Sequence, residues 1–300
     1  MAFGITAMVL VGCSWTVCGY IMGKAPKQNI DSKLLLFFGA LLSFVLSFGY
    51  GLATMQVVTS YSGHIFCFAV LALSGIFNFF QLDVMSLAMQ RGPNGVIWTI
   101  TQAGFILPFL MGVAFFDVKL SWYMGVGFAS ILISLILFGM TQNSSGQGKW
   151  KLLVFIAFLM AGSGQCFNNI PSYYAETNAV SGAFRTAFWS IGMMLGAILV
   201  NIKKIKTFAM GVKDYAKRYE VWKYAFMLQI FELIASLFLL FYGMDALSNA
   251  GVGAIAYPLM VCSCLICFEV ISIAILREKK TRLQVVALLL CLAGVILLCN

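Results

Sequence analysis

Apolar residues in this chain form long runs that are separated by short breaks containing charged residues, glycine, proline or asparagine. An α-helix of about 20 residues crosses the hydrocarbon core of a bilayer, and most of the runs reach that length. Lipid offers no hydrogen-bond partners to an open backbone, and no run alternates like a barrel strand. The pattern therefore predicts an all-α membrane protein with ten transmembrane helices, at 2–22, 33–54, 64–90, 94–116, 121–141, 150–172, 182–201, 222–244, 250–276 and 282–299.

The composition of the chain indicates where the functional site lies. The chain has 300 residues, of which 62% are hydrophobic and only 10% are charged, and its mean hydropathy is +0.96. Ten spans would use roughly 210 residues, which leaves only short connections. We therefore expect the functional site to lie within the helix bundle and not in a separate soluble domain.

Positive charge is distributed unevenly between the connections, although the net charge is +9. Seventeen of the 19 Lys and Arg residues fall in or beside the odd-numbered connections, and only Lys119 and Arg185 fall on the other side. Because cytoplasmic loops retain cations, both termini are predicted to be non-cytoplasmic. The cations form no continuous basic face, so we expect anionic lipids and no nucleic acid as partners. The seventh connection, around 203–223, mixes cations with apolar residues and is predicted to lie at the membrane surface.

An internal repeat relates the two halves of the chain. Gly12-Cys13-Ser14-Trp15 resembles Gly162-Ser163-Gly164-Gln165 at an offset of 150 residues, and a serine precedes the second helix of each half. A proline-bearing helix, an acidic residue and a glycine-containing last helix then follow in each half, at Pro108, Asp117 and Gly125 and at Pro258, Glu278 and Gly294. Each half has five predicted helices, so the second must enter the membrane from the opposite side. We predict two inverted five-helix repeats, at 1–145 and 146–300.

With these features the chain resembles the drug/metabolite transporter superfamily and its EamA-like repeats. The resemblance is carried by LAMQRGPNGVIWTITQAGFILPFLMGVAFFDVKLSWYMGVG in the first half and by ALSNAGVGAIAYPLM through LAGVILL in the second. Asp117 stands where the family pattern has Glu. The resemblance implies a secondary transporter that works by alternating access.

A narrower resemblance is to the L-rhamnose:proton symporter branch, through the basic segment GKAPKQNIDSK, the external termini and ILREKK near the end. It implies proton-coupled sugar uptake in a bacterial inner membrane. Export of amino acids, metabolites or drugs is the alternative within the superfamily. The expected partners are a small-molecule substrate, a coupling proton and membrane lipids, and the expected state is a monomer or a homodimer.

Three carboxylates lie within predicted spans: Asp83, Glu232 and Glu269. An ionisable group in the hydrocarbon region costs at least about 2.5–3.5 kcal/mol, so its presence asks for a reason. We predict that these residues are candidates for proton coupling. The alternative is a carboxyl that pairs with a neighbouring donor and serves packing.

Candidate substrate contacts are polar or aromatic residues that share a helix with small residues. Several recur at spacings of three and four, which place them on one helix face. Amides that donate and accept, beside aromatic rings, suit a neutral polyhydroxy ligand, and would also suit an amino acid or a nucleobase. Packing between helices is the alternative role for each residue. The candidates are Trp15, Asn78, Gln81, Trp98, Thr101, Gln102, Gln165, Asn168, Asn169, Trp189 and Tyr257.

Motifs of other function classes are missing from the sequence. It has no GxxxxGK[ST] phosphate loop, no HExxH and no Cys/His cluster with metal-ligand spacing, so we expect no cofactor and no metal. The isolated carboxylates indicate a protein that is not an enzyme. An intramembrane enzyme acting on a lipid-linked substrate is the alternative from another class.

Overall fold

A computed structural model describes residues 1–54, 61–92, 94–118, 120–140, 149–274 and 281–298. Over these ranges the chain is helical and contains no β-strand. The α-helices are α1 (Ala2–Lys24), α2 (Ser32–Ala53), α3 (Tyr61–Met89), α4 (Asn94–Gln102), α5 (Ile106–Phe115), α6 (Trp122–Met140), α7 (Lys149–Asn169), α8 (Ala175–Asn178), α9 (Gly182–Val200), α10 (Ile205–Tyr215), α11 (Tyr219–Ala235), α12 (Phe241–Asn249), α13 (Ala256–Ala274) and α14 (Arg282–Leu298).

Seven helical stretches in the described ranges are long and apolar enough to cross a membrane, and three further apolar helices are shorter. The chain is therefore an integral membrane protein with an all-α fold, as predicted. The helix ends agree with most predicted ends to within about three residues. The larger differences lie where the eighth and ninth predicted segments meet. The stretch Tyr219–Asn249 continues five residues beyond the predicted end at 244, and α13 begins six residues after the predicted start at 250.

A 3-10 turn leads directly into a proline-bearing helix at two positions that are 150 residues apart. A 3-10 turn at Ala103–Phe105 precedes α5, and a 3-10 turn at Gly253–Ile255 precedes α13. Pro108 and Pro258 are each the third residue of the helix that follows. Proline is tolerated in a first turn because the amide groups there lack intrahelical acceptors. The prolines thus lie near the start of a helix and not in its middle.

Packing between the helices is reciprocal between the two halves. The first helix of the first half, α1, packs against α13 of the second half. The first helix of the second half, α7, packs in turn against α4 and α5 of the first half. Likewise α3 packs against α7 and α9, while α1 and α2 pack against α11. Finally α2 pairs with α9 and α6 with α14. Each half therefore buries equivalent helices against the other.

Small residues allow several of these helices to approach backbone to backbone. A Cβ atom on Gly75 of α3 would lie 2.1 Å from the carbonyl oxygen of Trp189, and a Cβ on Gly192 of α9 would lie 2.0 Å from that of Ala72. Neither position can accept a side chain without displacement of the backbone. Such contacts are typical of helices that pack in lipid, where dispersion and hydrogen bonds replace the hydrophobic effect.

Hydrogen bonds from small hydroxyl side chains join the same helices. Ser74 Oγ on α3 donates to the carbonyl oxygen of Gly164 on α7 at 2.8 Å. Ser190 Oγ on α9 lies 3.0 Å from Ser43 Oγ on α2. Ser134 Oγ on α6 donates to the carbonyl oxygen of Ala287 on α14 at 2.7 Å. Bonds of this kind are worth about 1 kcal/mol each and fix the register between neighbouring helices.

The end of the bundle that carries the start of α2, the end of α3 and all of α10 is here called the basic end. The predicted surface helix is present as α10, and none of its residues is buried. It lies against α2, with the rings of Phe208 and Phe37 5.6 Å apart, and the Asp31 amide donates to Tyr215 Oη at 3.3 Å. Lys119 and Glu278 lie outside the described residues.

Candidate functional site

A central cavity of about 70 Å³ lies between helices of both halves. Its walls come from α1, α3, α4, α7, α9, α12 and α13 and from the π-helical segment Ser236–Leu240 that joins α11 to α12. Nine of the eleven predicted substrate contacts line it, namely Trp15, Asn78, Gln81, Trp98, Gln102, Gln165, Asn168, Trp189 and Tyr257. Residues that are far apart in sequence are thus brought to one site, and their role in binding a substrate stays a prediction.

Two predicted contacts lie away from the cavity. Thr101 and Asn169 are buried, but neither is part of its lining. Asn169 Nδ2 instead donates to Tyr173 Oη at 3.3 Å. A residue next to a cavity-facing position is turned by about 100° around the helix axis, so Thr101 beside Gln102, and Asn169 beside Asn168, project into helix contacts.

Aromatic side chains form much of the cavity wall. The rings of Trp15 on α1 and Tyr257 on α13 lie 6.3 Å apart and are tilted by 39°. The indole of Trp98 packs over Gly19, where a Cβ atom would come within 3.2 Å of the ring. Rings held in this way by two helices provide a rigid apolar surface, on which the C–H face of a ligand can pack.

Amide groups provide the polar part of the wall. Asn168 Nδ2 donates to Tyr257 Oη at 2.9 Å, which orients both side chains. The amide oxygens of Asn78, Gln165 and Asn168 are buried and have no hydrogen-bond partner. A buried polar atom without a partner costs about 1–3 kcal/mol, so three acceptors around one cavity create a demand for a ligand that donates hydrogen bonds.

The charge of the cavity is as informative as its shape. Among the described residues that line it, none is acidic or basic. Burying an unpaired charge is far more costly than burying a hydroxyl group that finds a partner. The site is therefore suited to an uncharged ligand with several donor groups.

Sequence reasoning missed several lining residues, among them Cys18, Ser74, Thr186, Ser236 and Phe241. Single serines, threonines and cysteines are common in membrane helices, and nothing in their spacing distinguishes a cavity from a helix contact. The π-helical segment at Ser236–Leu240 could not be predicted either, because its sequence is part of a continuous apolar run. Such segments are frequent at functional sites because they redirect the side chains of a helix.

Asp83 lies in a second, larger cavity, of about 700 Å³, at the basic end. Its Oδ2 atom is 3.8 Å from Lys33 Nζ, and Asn29, Ser86 and Tyr215 are among the other residues of this wall. Gln81 lines the central cavity, and two residues further along α3 the helix has turned by about 200°, so Asp83 faces elsewhere. Glu232 lies in α11 and Glu269 in α13, and their side chains are not among those that the structure describes.

A buried ion pair lies at the other end of the bundle and was not predicted. Arg185 Nη1 on α9 donates to Asp245 Oδ1 on α12 at 2.9 Å, and the Arg185 side chain is 0% exposed. Arg185 is the fourth residue of the predicted seventh span, and Asp245 fell just beyond the predicted end of the eighth span. Arg185 lies in the first turn of α9, in agreement with the predicted span at 182–201, whereas Asp245 lies within a helix because α12 continues to Asn249.

Comparison with known proteins provides evidence on the fold of the chain. No family model matches the chain, and no curated protein matches it. Its fold is similar to that of a solved chain described only as the crystal structure of a protein, with a TM-score of 0.64 and 14% sequence identity. The match covers 99% of this chain and 94% of the other. At this identity the likeness establishes a shared fold alone.

Proposed function

We propose that this protein is a secondary active transporter that moves a small uncharged polyhydroxylated solute, a monosaccharide first of all, by alternating access and proton coupling. The observation that carries the proposal is the central cavity. It combines aromatic rings with three unpartnered amide oxygens, and its described lining has no charged side chain. Hydroxyl groups of a sugar would satisfy the acceptors, while its C–H faces would pack on the rings.

Other solute classes fit this wall less well. An amino acid would bring an ammonium and a carboxylate group into a cavity whose described side chains offer no counter-charge. A cationic drug would have the same difficulty. Desolvation of such groups is costly without ionic partners, so the wall favours a neutral ligand.

The size of the cavity fits an intermediate of a transport cycle. At about 70 Å³ it is smaller than the ~300 Å³ or more of ordinary ligand pockets, so solute entry needs movement of the surrounding helices. The reciprocal packing of the halves and the two 3-10 turns 150 residues apart support the two inverted repeats at 1–145 and 146–300. In transporters built in this way, solute sites lie where the repeats meet.

Coupling is assigned to a carboxylate outside the central cavity. Asp83 is the strongest candidate because it is buried on the wall of the basic-end cavity, and its Oδ1 atom has no partner. Glu232 and Glu269 stay candidates from the sequence. Ten spans, non-cytoplasmic termini and a place in a bacterial inner membrane also belong to this proposal, which agrees with the resemblance to the drug/metabolite transporter superfamily.

Ligand binding to the purified full-length protein tests the proposal. Monosaccharides, amino acids, nucleosides and cationic drugs are compared by thermal shift, since a ligand that binds only the folded state raises its apparent stability. We expect stabilisation by a monosaccharide in wild type and its loss in Gln165→Leu. Gln229→Leu is the matched control, because Gln229 is equally buried but is not part of the cavity lining.

Selective stabilisation by amino acids or cations would instead favour the exporter alternative. If a monosaccharide stabilised wild type and both variants equally, binding would lie elsewhere in the molecule. Uptake into proteoliposomes along an imposed pH gradient then tests coupling. Chemical conversion of a bound solute would point to the enzyme alternative.

A further inference from the structure

Two ion pairs occupy corresponding places in the two halves of the chain. Lys33 is the second residue of α2 and pairs with Asp83, six residues before the end of α3. Arg185 is the fourth residue of α9 and pairs with Asp245, four residues before the end of α12. Each pair thus joins the first turn of one helix to the last turns of the helical span that follows it. With inverted repeats, the two pairs lie at opposite ends of the bundle.

The pairs differ in how tightly they are closed. Arg185 and Asp245 meet at 2.9 Å, and their side chains are 0% and 14% exposed. Arg185 also donates to the carbonyl oxygen of Thr177, which ties α8 to the same contact. A buried, charge-assisted bond of this length is short and strong, and its loss leaves a charge buried without a partner.

At the basic end the corresponding pair is loose. Lys33 Nζ and Asp83 Oδ2 are 3.8 Å apart, and the Lys33 side chain is 31% exposed. Both residues line the basic-end cavity of about 700 Å³. The second carboxylate oxygen of Asp83 and the hydroxyl of Ser86 are buried there without partners. The bundle therefore has a buried, closely paired ion pair at one end and a wide cavity at the other.

Each pair is also adjacent to the central cavity. The ring of Phe241 lines that cavity, and the guanidinium carbon of Arg185 lies 5.5 Å from the ring centroid. On α3, Gln81 and Leu82 line the cavity immediately before Asp83. A solute that moves Phe241 would therefore displace the Arg185–Asp245 pair, and a solute that moves α3 would displace the Lys33–Asp83 pair.

We propose that Arg185–Asp245 and Lys33–Asp83 are the two gates of the transporter, and that the transport cycle closes one as it opens the other. The described conformation has the Arg185–Asp245 gate closed and the Lys33–Asp83 gate loosened. This inference rests on the proposed function. It assigns a role to Arg185 and Asp245, and it makes Asp83 a gate residue as well as a candidate for coupling.

Thiol labelling from the two sides of the membrane tests the two gates. Cys18 lines the central cavity and serves as the reporter. The full-length protein is reconstituted in vesicles without solute and treated with a membrane-impermeant maleimide on one side at a time. Modification at residue 18 is read by peptide mass spectrometry, with Cys18→Ser as the blank. The measured quantity is the ratio of labelling from the two sides.

Removal of one charge from each pair should move this ratio in opposite directions. Asp245→Asn weakens the closed gate and should raise labelling from the Arg185 side by about tenfold, while Asp83→Asn should favour labelling from the basic end. Lys33→Gln should act like Asp83→Asn. Lys24→Gln removes a cation from the same end and should leave the ratio unchanged, because Lys24 Nζ donates to Tyr20 Oη and forms no ion pair with a carboxylate among the described residues.

The gate proposal is wrong if Asp245→Asn and Asp83→Asn shift the labelling ratio in the same direction. It is also wrong if neither variant shifts the ratio in folded protein. If Asp245→Asn fails to fold, the Lys33–Asp83 pair still tests the proposal through Lys33→Gln and Asp83→Asn. Because labelling needs no solute, the gates can fail while monosaccharide binding persists. Conversely, a failed binding assay beside opposite shifts in labelling would reject the proposed solute and keep the gates.

Discussion

The two cavities of this protein have opposite chemical character. The central cavity is small, and its described walls carry amides and aromatic rings but no charge, whereas the basic-end cavity is about ten times larger and contains Asp31, Lys33 and Asp83. Both are lined in part by α3. In the proposed transporter, solute recognition and charge movement would therefore take place at separate sites, and α3 would link them.

The largest expected effect comes from a change that separates the two cavities. Asp83→Asn removes the carboxylate from the basic-end cavity and leaves every central contact in place. We expect solute binding to persist while accumulation driven by a pH gradient is lost, because no proton is carried at this position. Uptake of radiolabelled sugar into proteoliposomes, with and without a protonophore, measures this. If the variant still accumulates sugar in a protonophore-sensitive way, Asp83 does not carry the coupling proton, and Glu232 and Glu269 become the candidates.

The next effect concerns the walls that keep the central cavity small. Gly75→Ala on α3 would place a Cβ atom 2.1 Å from the carbonyl oxygen of Trp189, a cavity residue. Overpacking of this kind costs about 1–3 kcal/mol, so the melting temperature should fall by several degrees. Gly49→Ala is the matched control, since nothing lies within 4 Å of its added Cβ. Equal melting temperatures for the two variants would show that backbone contact at Gly75 does not set the helix spacing.

Much of the fold was predictable from sequence, since lipid restricts the chain to helices and the length of each apolar run sets a span. Part of the lining of the central cavity could also be predicted, because spacings of three and four place Trp98 and Gln102 on one helix face and Gln165 and Asn168 on another. Which neighbour faces the cavity depends on the rotation of each helix about its axis, and this is fixed by contacts such as Gly75 on Trp189 that involve distant residues. For this reason the sequence could not show that Thr101 and Asn169 lie outside the cavity lining.

The buried ion pair shows a different limit. A charge at the end of an apolar run is indistinguishable from a loop charge until the helix end is known, and Asp245 lies one residue beyond the predicted end at 244. Its partner Arg185 is 60 residues earlier, so no local spacing connects them. An acidic and a basic residue at corresponding helix ends of a repeat would have been the useful signal.

A smaller effect sharpens the polar side of the central cavity. Tyr257→Phe removes the hydroxyl that accepts from Asn168 Nδ2 at 2.9 Å. Asn168 then loses its fixed orientation, and we expect sugar affinity to fall by about fivefold, the equivalent of one hydrogen bond near 1 kcal/mol. Calorimetric titration measures the change. Tyr224→Phe is the control, because its hydroxyl contacts Gln28 at the basic end. Equal losses in both variants would mean a general effect on the fold.

The smallest effect belongs to the basic-end cavity. Asp31 is the N-cap of α2, where its Oδ1 atom accepts from the amide of Lys33 at 2.8 Å. Asp31→Ala should lower stability by about 1 kcal/mol through loss of the cap, and it also removes one negative charge from the wall that holds Lys33 and Asp83. Asp31→Asn keeps a capping oxygen and removes only the charge. If the wall charge holds Lys33 in the cavity, Asp31→Asn should reproduce part of the Lys33→Gln labelling shift with little loss of stability. If only the cap matters, Asp31→Ala should lower the melting temperature and neither variant should change the labelling ratio. The two substitutions thus separate the structural contribution of this residue from its electrostatic contribution to the cavity.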